Sequence, residues 1–417
     1  MRTLPCLLAA TLFAAPLTAD QPTNEPATQP SAPATRPTTK PIDPKALSDK
    51  VKLGLGWIVK AQLADGGWGQ GDESRDMGGG QPLAGTSNVA DSCVAIQALM
   101  RSGSTPKEGD YREQILKGVE FVCTKIDAAD NDSLYVTDVR GTRVQSKIGA
   151  FVDTFLAAQV LSDVSGQMPT EPANARVNAM LVKTVRKIEK NQQKDGGFAQ
   201  GGWAPALGDG LAAKAMNQMA VREQGVSEDS LKRMDAKAMR DYDEKGNKVD
   251  AAGSASVELY ARSSNSSNFA NAEFRYEKKQ EELEKIANNP ATQPAARAAA
   301  QQELAIVGEL RKEAQQAQQG AVARMNDKNF TDGFGSNGGE EFLSYLNVGE
   351  GMAVRGDPAF AEWDKKMTDN LPRVQNDDGS WSGHHCITGK TFCTSSALMV
   401  LMVDRTTSPT GDPLKKR

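Results

Sequence analysis

The chain has 417 residues, of which 49 are basic and 53 acidic, for a formal net charge of -4. That balance gives no electrostatic reason to expect nucleic acid or an anionic membrane surface as partner. Aromatic residues make up only 6% of the chain, which argues against a cavity walled by aromatic rings to stabilise carbocations.

In chain order, the first element is an apolar run from Leu7 to Ala15 that follows Arg2 and ends in Pro16-Leu17-Thr18-Ala19. It is too short to span a bilayer and ends in small residues, so residues 1–19 are expected to be a cleaved secretory signal, placing the protein in the periplasm or outside the cell. Cys6 lies inside the run, unlike a lipid-attachment cysteine; an uncleaved anchor is the alternative. Residues 20–44 are Pro, Thr, Ala and Gln with almost no large apolar side chain, the composition of a disordered linker. About 360 residues then remain for one large helical domain, 45–405, before a short tail at 406–417 expected to be flexible.

Helical apolar spacing predicts six helix pairs. The first members run near 46–62, 111–126, 175–193, 228–242, 269–325 and 358–374, and the second near 89–101, 148–160, 207–222, 254–262, 341–353 and 392–403. The stretch 269–325 stands out for Glu, Lys, Gln and Ala with sparse apolar residues. Its break at Asn288-Asn289-Pro290 divides it into two antiparallel helices, expected to project as a charged arm. Such an arm is either a solvated elaboration or a docking surface for a protein partner.

One short phrase recurs between paired helices. It reads Gln62-Leu63-Ala64-Asp65-Gly66-Gly67-Trp68, then Gln193-Lys194-Asp195-Gly196-Gly197-Phe198, then Gln375-Asn376-Asp377-Asp378-Gly379-Ser380-Trp381. Glycine permits left-handed backbone at a helix end and Asp suits the turn. The aromatic can pack between adjacent helices while Gln ties off a terminus. Because one helical hairpin cannot bury its own apolar face, repetition of this kind implies a stacked array.

The phrases resemble the QW-type repeats of the squalene cyclase and protein prenyltransferase superfamily, over most of residues 45–405. The resemblance implies an all-α fold, an α/α toroid of about six hairpins whose inner helices all begin at one end, with the arm as an insertion. Acids near those inner starts are then the candidate catalytic residues: Asp91, Asp153, Asp209 and Glu341. A ring of acids can bind a cation or act as general acid and base; carboxylates in a first helical turn also simply accept backbone N–H groups. Protein prenyltransferase β subunits hold zinc with Asp-x-Cys early in an inner helix plus a distant His, a pattern similar to Asp91 and Cys93. A toroid brings its first and last hairpins together, so His384 or His385 could complete the set, giving Asp91, Cys93 and His385 as the candidate metal ligands. Otherwise no cofactor is expected. Disulfides among Cys93, Cys123, Cys386 and Cys393 are the competing expectation, followed by buried free thiols.

Class II cyclases need an Asp-x-Asp-Asp acid, which this chain lacks; the nearest string, Asp241-Tyr242-Asp243-Glu244, falls at the end of a predicted outer helix. The Gly-Cys-Gly-Glu-Gln thioester of α-macroglobulin-type toroids is absent, as are the P-loop, a strand-linked GxGxxG, GxSxG and HExxH. Polysaccharide processing by paired acids and aromatic platforms stays open, with Trp68, Trp203 and Trp381 as platform candidates. The expected function is therefore an exported, non-cyclising scaffold that binds a small molecule, glycan or protein at its cavity, and the alternative is an enzyme working in that cavity.

Overall fold

The computed structural model describes residues 43–72, 83, 85–243, 248–254, 257–325, 338–412 and 414. The expected signal segment and nearly all of the expected linker lie outside the described residues. The protein is all-α, with thirteen α-helices among the described residues. The strands there are a two-residue antiparallel pair, Tyr242–Asp243 with Lys248–Val249.

Six helices form an inner ring: α2 (Val89–Arg101), α5 (Val152–Val164), α7 (Pro205–Val221), α9 (Glu258–Asn288), α11 (Gly339–Arg355) and α13 (Lys390–Leu401). Each packs on the next, and α13 packs back on α2, which closes the ring. Outside it lie α1 (Asp49–Lys60), α3 (Arg112–Ala128), α6 (Glu171–Asn191), α8 (Glu228–Arg240), α10 (Pro294–Met325) and α12 (Phe360–Asn370); α4 (Arg143–Lys147) is a single turn before α5. Burial pattern explains the two layers. In α5 every residue except Asp163 is buried, so it needs neighbours on all sides. In α6 only a stripe such as Val177, Leu181, Val185 and Ile188 is buried, the mark of a helix with one wet face. The main core fills the space between the rings and runs from Val51 to Val403.

The recurrent phrase locks each turn to the next outer helix in the same way three times. Gly66, Gly196 and Gly379 sit at φ 90, 91 and 92°, where a Cβ would strike the backbone of that helix. The Gln62 side chain donates to Gly66 O at 2.8 Å and to Gln114 O of α3 at 3.0 Å. Gln375 does likewise to Gly379 O at 2.8 Å and to Lys50 O of α1 at 2.9 Å, joining the last turn to the first helix. In the second phrase this tie belongs to Gln192, which bonds Gly196 O and Ser230 O at 3.2 and 3.1 Å. The sequence expectation had placed it one residue on, at exposed Gln193. Asp65, Asp195 and Asp378 each accept an N–H two residues ahead, at 3.1, 3.0 and 3.0 Å. Trp68 and Trp381 are fully buried and donate their indole N–H to Ile58 O and Leu371 O, both at 2.8 Å. Their rings lie against glycines of the neighbouring outer helix, Gly118 for Trp68 and Gly54 for Trp381, where any Cβ would come within 2.8 and 2.9 Å of the indole.

The fourth inner helix departs from expectation. It does not stop near residue 262, and no separate insertion begins at 269: α9 is one helix of 31 residues, with 259–274 buried throughout. The Ser-Asn run from Ser263 to Asn268, which local propensity reads as a breaker, is an inner-ring segment enclosed on all sides. Only beyond it do α9 and α10 form the expected hairpin. Tyr276 and Leu283 pack with Ala300 and Val307, and Phe269 packs with Ala314 and Ala317. The seven-residue spacing of Ala300, Val307, Ala314 and Ala321 is that of a coiled-coil seam.

One end of the ring is closed. Glu350 of α11 accepts from Arg101 of α2 and Lys214 of α7, both at 2.5 Å, so alternate inner helices are tied across the axis. Burial alone would raise the Glu350 carboxyl, but Lys214 and Arg101 outweigh it and hold it down at about 2. The chain after α13 covers this end: Arg101 donates to Thr406 Oγ1 at 2.9 Å, and Arg222 to Pro409 O at 2.8 Å. The residues after 405 that were expected to be a free tail are thus, from 406 to 409, packed on α2 and α7.

Candidate functional site

The inner helices begin at the opposite end, so residues of their first turns and of the loops before them meet there. Three of the four candidate acids are used up as structural ties. Asp91 accepts from Asn88 Nδ2 at 2.7 Å while its own N–H donates to Asn88 Oδ1 at 2.9 Å, an N-terminal capping exchange on α2. Asp153 accepts from the Ala90 N–H at 3.0 Å and from Gln145 Nε2 at 2.7 Å, bolting α5 to the start of α2; its burial raises its pKa. Asp209 lies further out, between α7 and α8, bonded to Gln200 Nε2 at 2.8 Å and 3.4 Å from Lys237 Nζ.

Glu341 is the candidate acid that the structure brings to an accessible cluster. Its Oε1 accepts from Tyr260 Oη of α9 at 2.6 Å and lies 3.5 Å from His385 Nε2; its Oε2 accepts the Gly338 N–H at 2.6 Å. Burial, then the Glu341 charge, pushes the Tyr260 phenol well above its ordinary range, so it stays a donor. Trp203 stands edge-on to Tyr260, ring centroids 6.1 Å apart, and Lys147 Nζ lies over the Trp203 ring, 5.8 Å from its centroid. Backbone bonds from Trp203 N to Ser146 O (3.2 Å) and Ala204 N to Lys147 O (2.7 Å) fix this loop against α4. Trp203 is 41% exposed, whereas Trp68 and Trp381 are 0% exposed. Of the three platform candidates, Trp203 alone is presented to a ligand.

Beneath this rim sits Glu340, which the sequence reading passed over. It is 0% exposed, its Oε2 accepts the Ile387 N–H at 3.1 Å, and its Oε1 has no oxygen or nitrogen partner. Burial, reinforced by the Glu341 charge, raises its pKa to about 7. The Cys386 thiol beside it is pushed up to about 11, mainly by burial and then by Glu340. Cys386 has a left-handed backbone, φ 56°, rare for a residue with a side chain.

The proposed metal ligands are not gathered. Cys93 is fully buried toward Cys123 and Asp153, while His385 is over Glu341. Among the described residues no group of three or more His, Cys, Asp or Glu is placed to share a metal ion. The expected disulfides are also not formed: Cys93, Cys123, Cys386 and Cys393 are all buried free thiols. The signal for the real cluster was present in the sequence as the pair Glu340-Glu341 at a helix start, but Tyr260 and Trp203 come from other hairpins and no spacing rule links them.

No helix among the described residues is long and apolar enough to cross a membrane. No family model matches the chain, and no curated protein does. A solved structure described as a novel alpha-amylase from Clostridium perfringens superposes with a TM-score of 0.49 at 11% identity, over 87% of this chain and 99% of that one.

Proposed function

We propose that the protein is an exported, non-cyclising relative of the terpene cyclase and prenyltransferase toroids that captures a saccharide at the end of its ring where the inner helices begin. The observation that carries this reading is the 41% exposed Trp203 ring, with Lys147 5.8 Å from its centroid and Tyr260 edge-on to it, Tyr260 in turn donating to Glu341, which lies 3.5 Å from His385. An indole face accepts the C–H side of a sugar ring, and the ammonium and imidazole reach its hydroxyls. Cyclisation lacks its acid motif, and prenyl transfer lacks an assembled metal set among the described residues, so fold resemblance does not bring either chemistry with it. Export rests on the apolar N-terminal run alone. The test is a titration of soluble oligosaccharides followed by tryptophan fluorescence and calorimetry. At least one should bind saturably, and Trp203→Ala should weaken it tenfold or more; unchanged affinity in that variant would overturn the reading.

A second reading, glycan processing, is favoured by the unpartnered Glu340 Oε1, on a carboxyl that burial pushes up to about 7 so that it can hold or release a proton near neutrality. It requires turnover of a bound glycan that disappears in Glu340→Gln while binding persists.

A further inference from the structure

The second phrase differs from the other two in a way that leaves space. Where Trp68 meets Gly118 and Trp381 meets Gly54, the equivalent pair is Phe198 and Met234: Gly66, Gly379 and Gly196 abut Lys117, Leu53 and Arg233, and the next residue along each outer helix is Gly118, Gly54 or Met234. One turn further on come Phe121, Trp57 and, at the second joint, Lys237. A tryptophan cannot lie over a methionine there, so the smaller Phe198 ring takes its place. The exchange does not fill the joint: a cavity of about 60 Å³ remains between α7, α8 and α9.

Its wall is unlike a packing defect, which would be dry and apolar. Ser264 and Asn265 of α9 line it with Ser264 Oγ and Asn265 Oδ1 unpartnered, at 6% and 9% exposure. The Asn265 amide nitrogen faces Ala238 O at 3.4 Å, which turns its oxygen the other way. Asp209 and Asp241 also line the space, with Lys237 held between them at 3.4 and 2.5 Å. Phe198, Met216 and Met234 supply an apolar side. Acceptors outnumber donors, so an occupant must bring several donors. The Lys237 ammonium already occupies the place a cation would take. By volume the space holds roughly four to six water-sized groups.

We infer that this joint is a second binding site, separate from the ring mouth, for a small polyol of glycerol size or the hydroxyl-bearing edge of one sugar ring. The hydroxyls donate to Asn265 Oδ1, Ser264 Oγ and the Asp209 carboxylate while the carbon chain lies on Phe198 and Met234.

The test uses the full chain, with ligand-observed NMR and calorimetry on glycerol, erythritol and xylitol against propan-1-ol. Polyols should bind saturably and at least tenfold more tightly than propan-1-ol. The double substitution Phe198→Trp with Met234→Gly installs the pair that the other two joints use, and should abolish polyol binding while circular dichroism stays unchanged. Asn265→Ala, which removes one acceptor without filling the space, should weaken it tenfold or more and covers the case in which the double variant fails to fold. Polyols binding no better than propan-1-ol would overturn the site, as would binding that survives Asn265→Ala. Loss of polyol binding in Trp203→Ala with retention in the joint variants would assign it to the ring mouth instead.

Discussion

Replacing Glu350 by Gln tests whether the ring is held shut across its axis. Glu350 is the shared acceptor of Arg101 and Lys214, its side chain is only 5% exposed, and the two cations are 13% and 18% exposed. The carboxyl falls from 4.5 to about 2 on folding. At 1.36 kcal/mol per unit this is worth roughly 3 kcal/mol in favour of the ionised folded state. Because the folded pKa is the lower one, that stability is fully present above about pH 4.5 and is lost as pH falls toward 2. At pH 7, Glu350→Gln forfeits it and leaves two partly buried cations short of a counter-charge, a loss of roughly 3–5 kcal/mol. Urea unfolding of both proteins, repeated from pH 7 down to pH 3, measures the difference. It should be large at pH 7 and shrink on acidification as the wild type loses its own advantage. A difference below about 1 kcal/mol at pH 7, or one that does not change with pH, would refute the argument that the triad ties alternate inner helices together.

Glu340 has the opposite sign. Its folded pKa of about 7 exceeds the ordinary 4.5, so ionisation opposes folding, with a penalty that grows from pH 4.5 to 7 and then levels off. Glu340→Gln should therefore raise the urea midpoint at pH 8 by an amount equivalent to roughly 3 kcal/mol and leave it unchanged at pH 4. The register of the second phrase predicts that Gln192→Ala costs roughly 1–2 kcal/mol through two lost carbonyl ties, whereas Gln193→Ala is near neutral, both read from urea midpoints. Gly118→Ala places a Cβ 2.8–2.9 Å from the Trp68 ring and Ile96; thermal melts should show a loss of roughly 1–3 kcal/mol despite the better helix propensity of alanine.

The ring was legible because its turns are chemically rigid. A left-handed glycine, an Asp that accepts two residues ahead and a Gln that reaches the neighbouring helix are all local demands, so they survive in the sequence as a phrase. What each phrase meets across the joint is non-local. Gly54 and Gly118 read as weak points within their helices until the indoles that press on them are known, although an interior glycine in an otherwise good helix is itself a signal of close approach. The two adjacent glutamines of the second phrase hid the true register for a simpler reason: either fits the pattern, and only geometry separates them. The buried Ser-Asn run of α9 misled because propensity records what a segment prefers when exposed. In the ring the Ser263–Asn268 run is buried, and Ser266, Asn268 and Asn271 find partners within the helical framework, while Ser264 and Asn265 face the cavity beside α7 and α8.

The candidate acids show how far a helix start can mislead a functional reading. Asp91, Asp153 and Glu341 occupy similar places on the inner helices α2, α5 and α11; Asp153 and Glu341 each accept a backbone N–H at a helix start, that of Ala90 and of Gly338, whereas Asp91 holds the Asn88 side chain that caps its own N–H. What separates Glu341 is what its second oxygen meets: a tyrosine from one neighbouring helix and a histidine from the loop of another, with an exposed tryptophan beyond. A cap needs one oxygen. Where the other meets a part-exposed side chain, as with His385 at 30% exposure, the residue orients a group a ligand can touch, and where it is spent on Gln145, as in Asp153, it only joins helices. By that distinction Asp91 and Asp153 serve the α2–α5 architecture, and Glu341 is the acid that supports the proposed saccharide site.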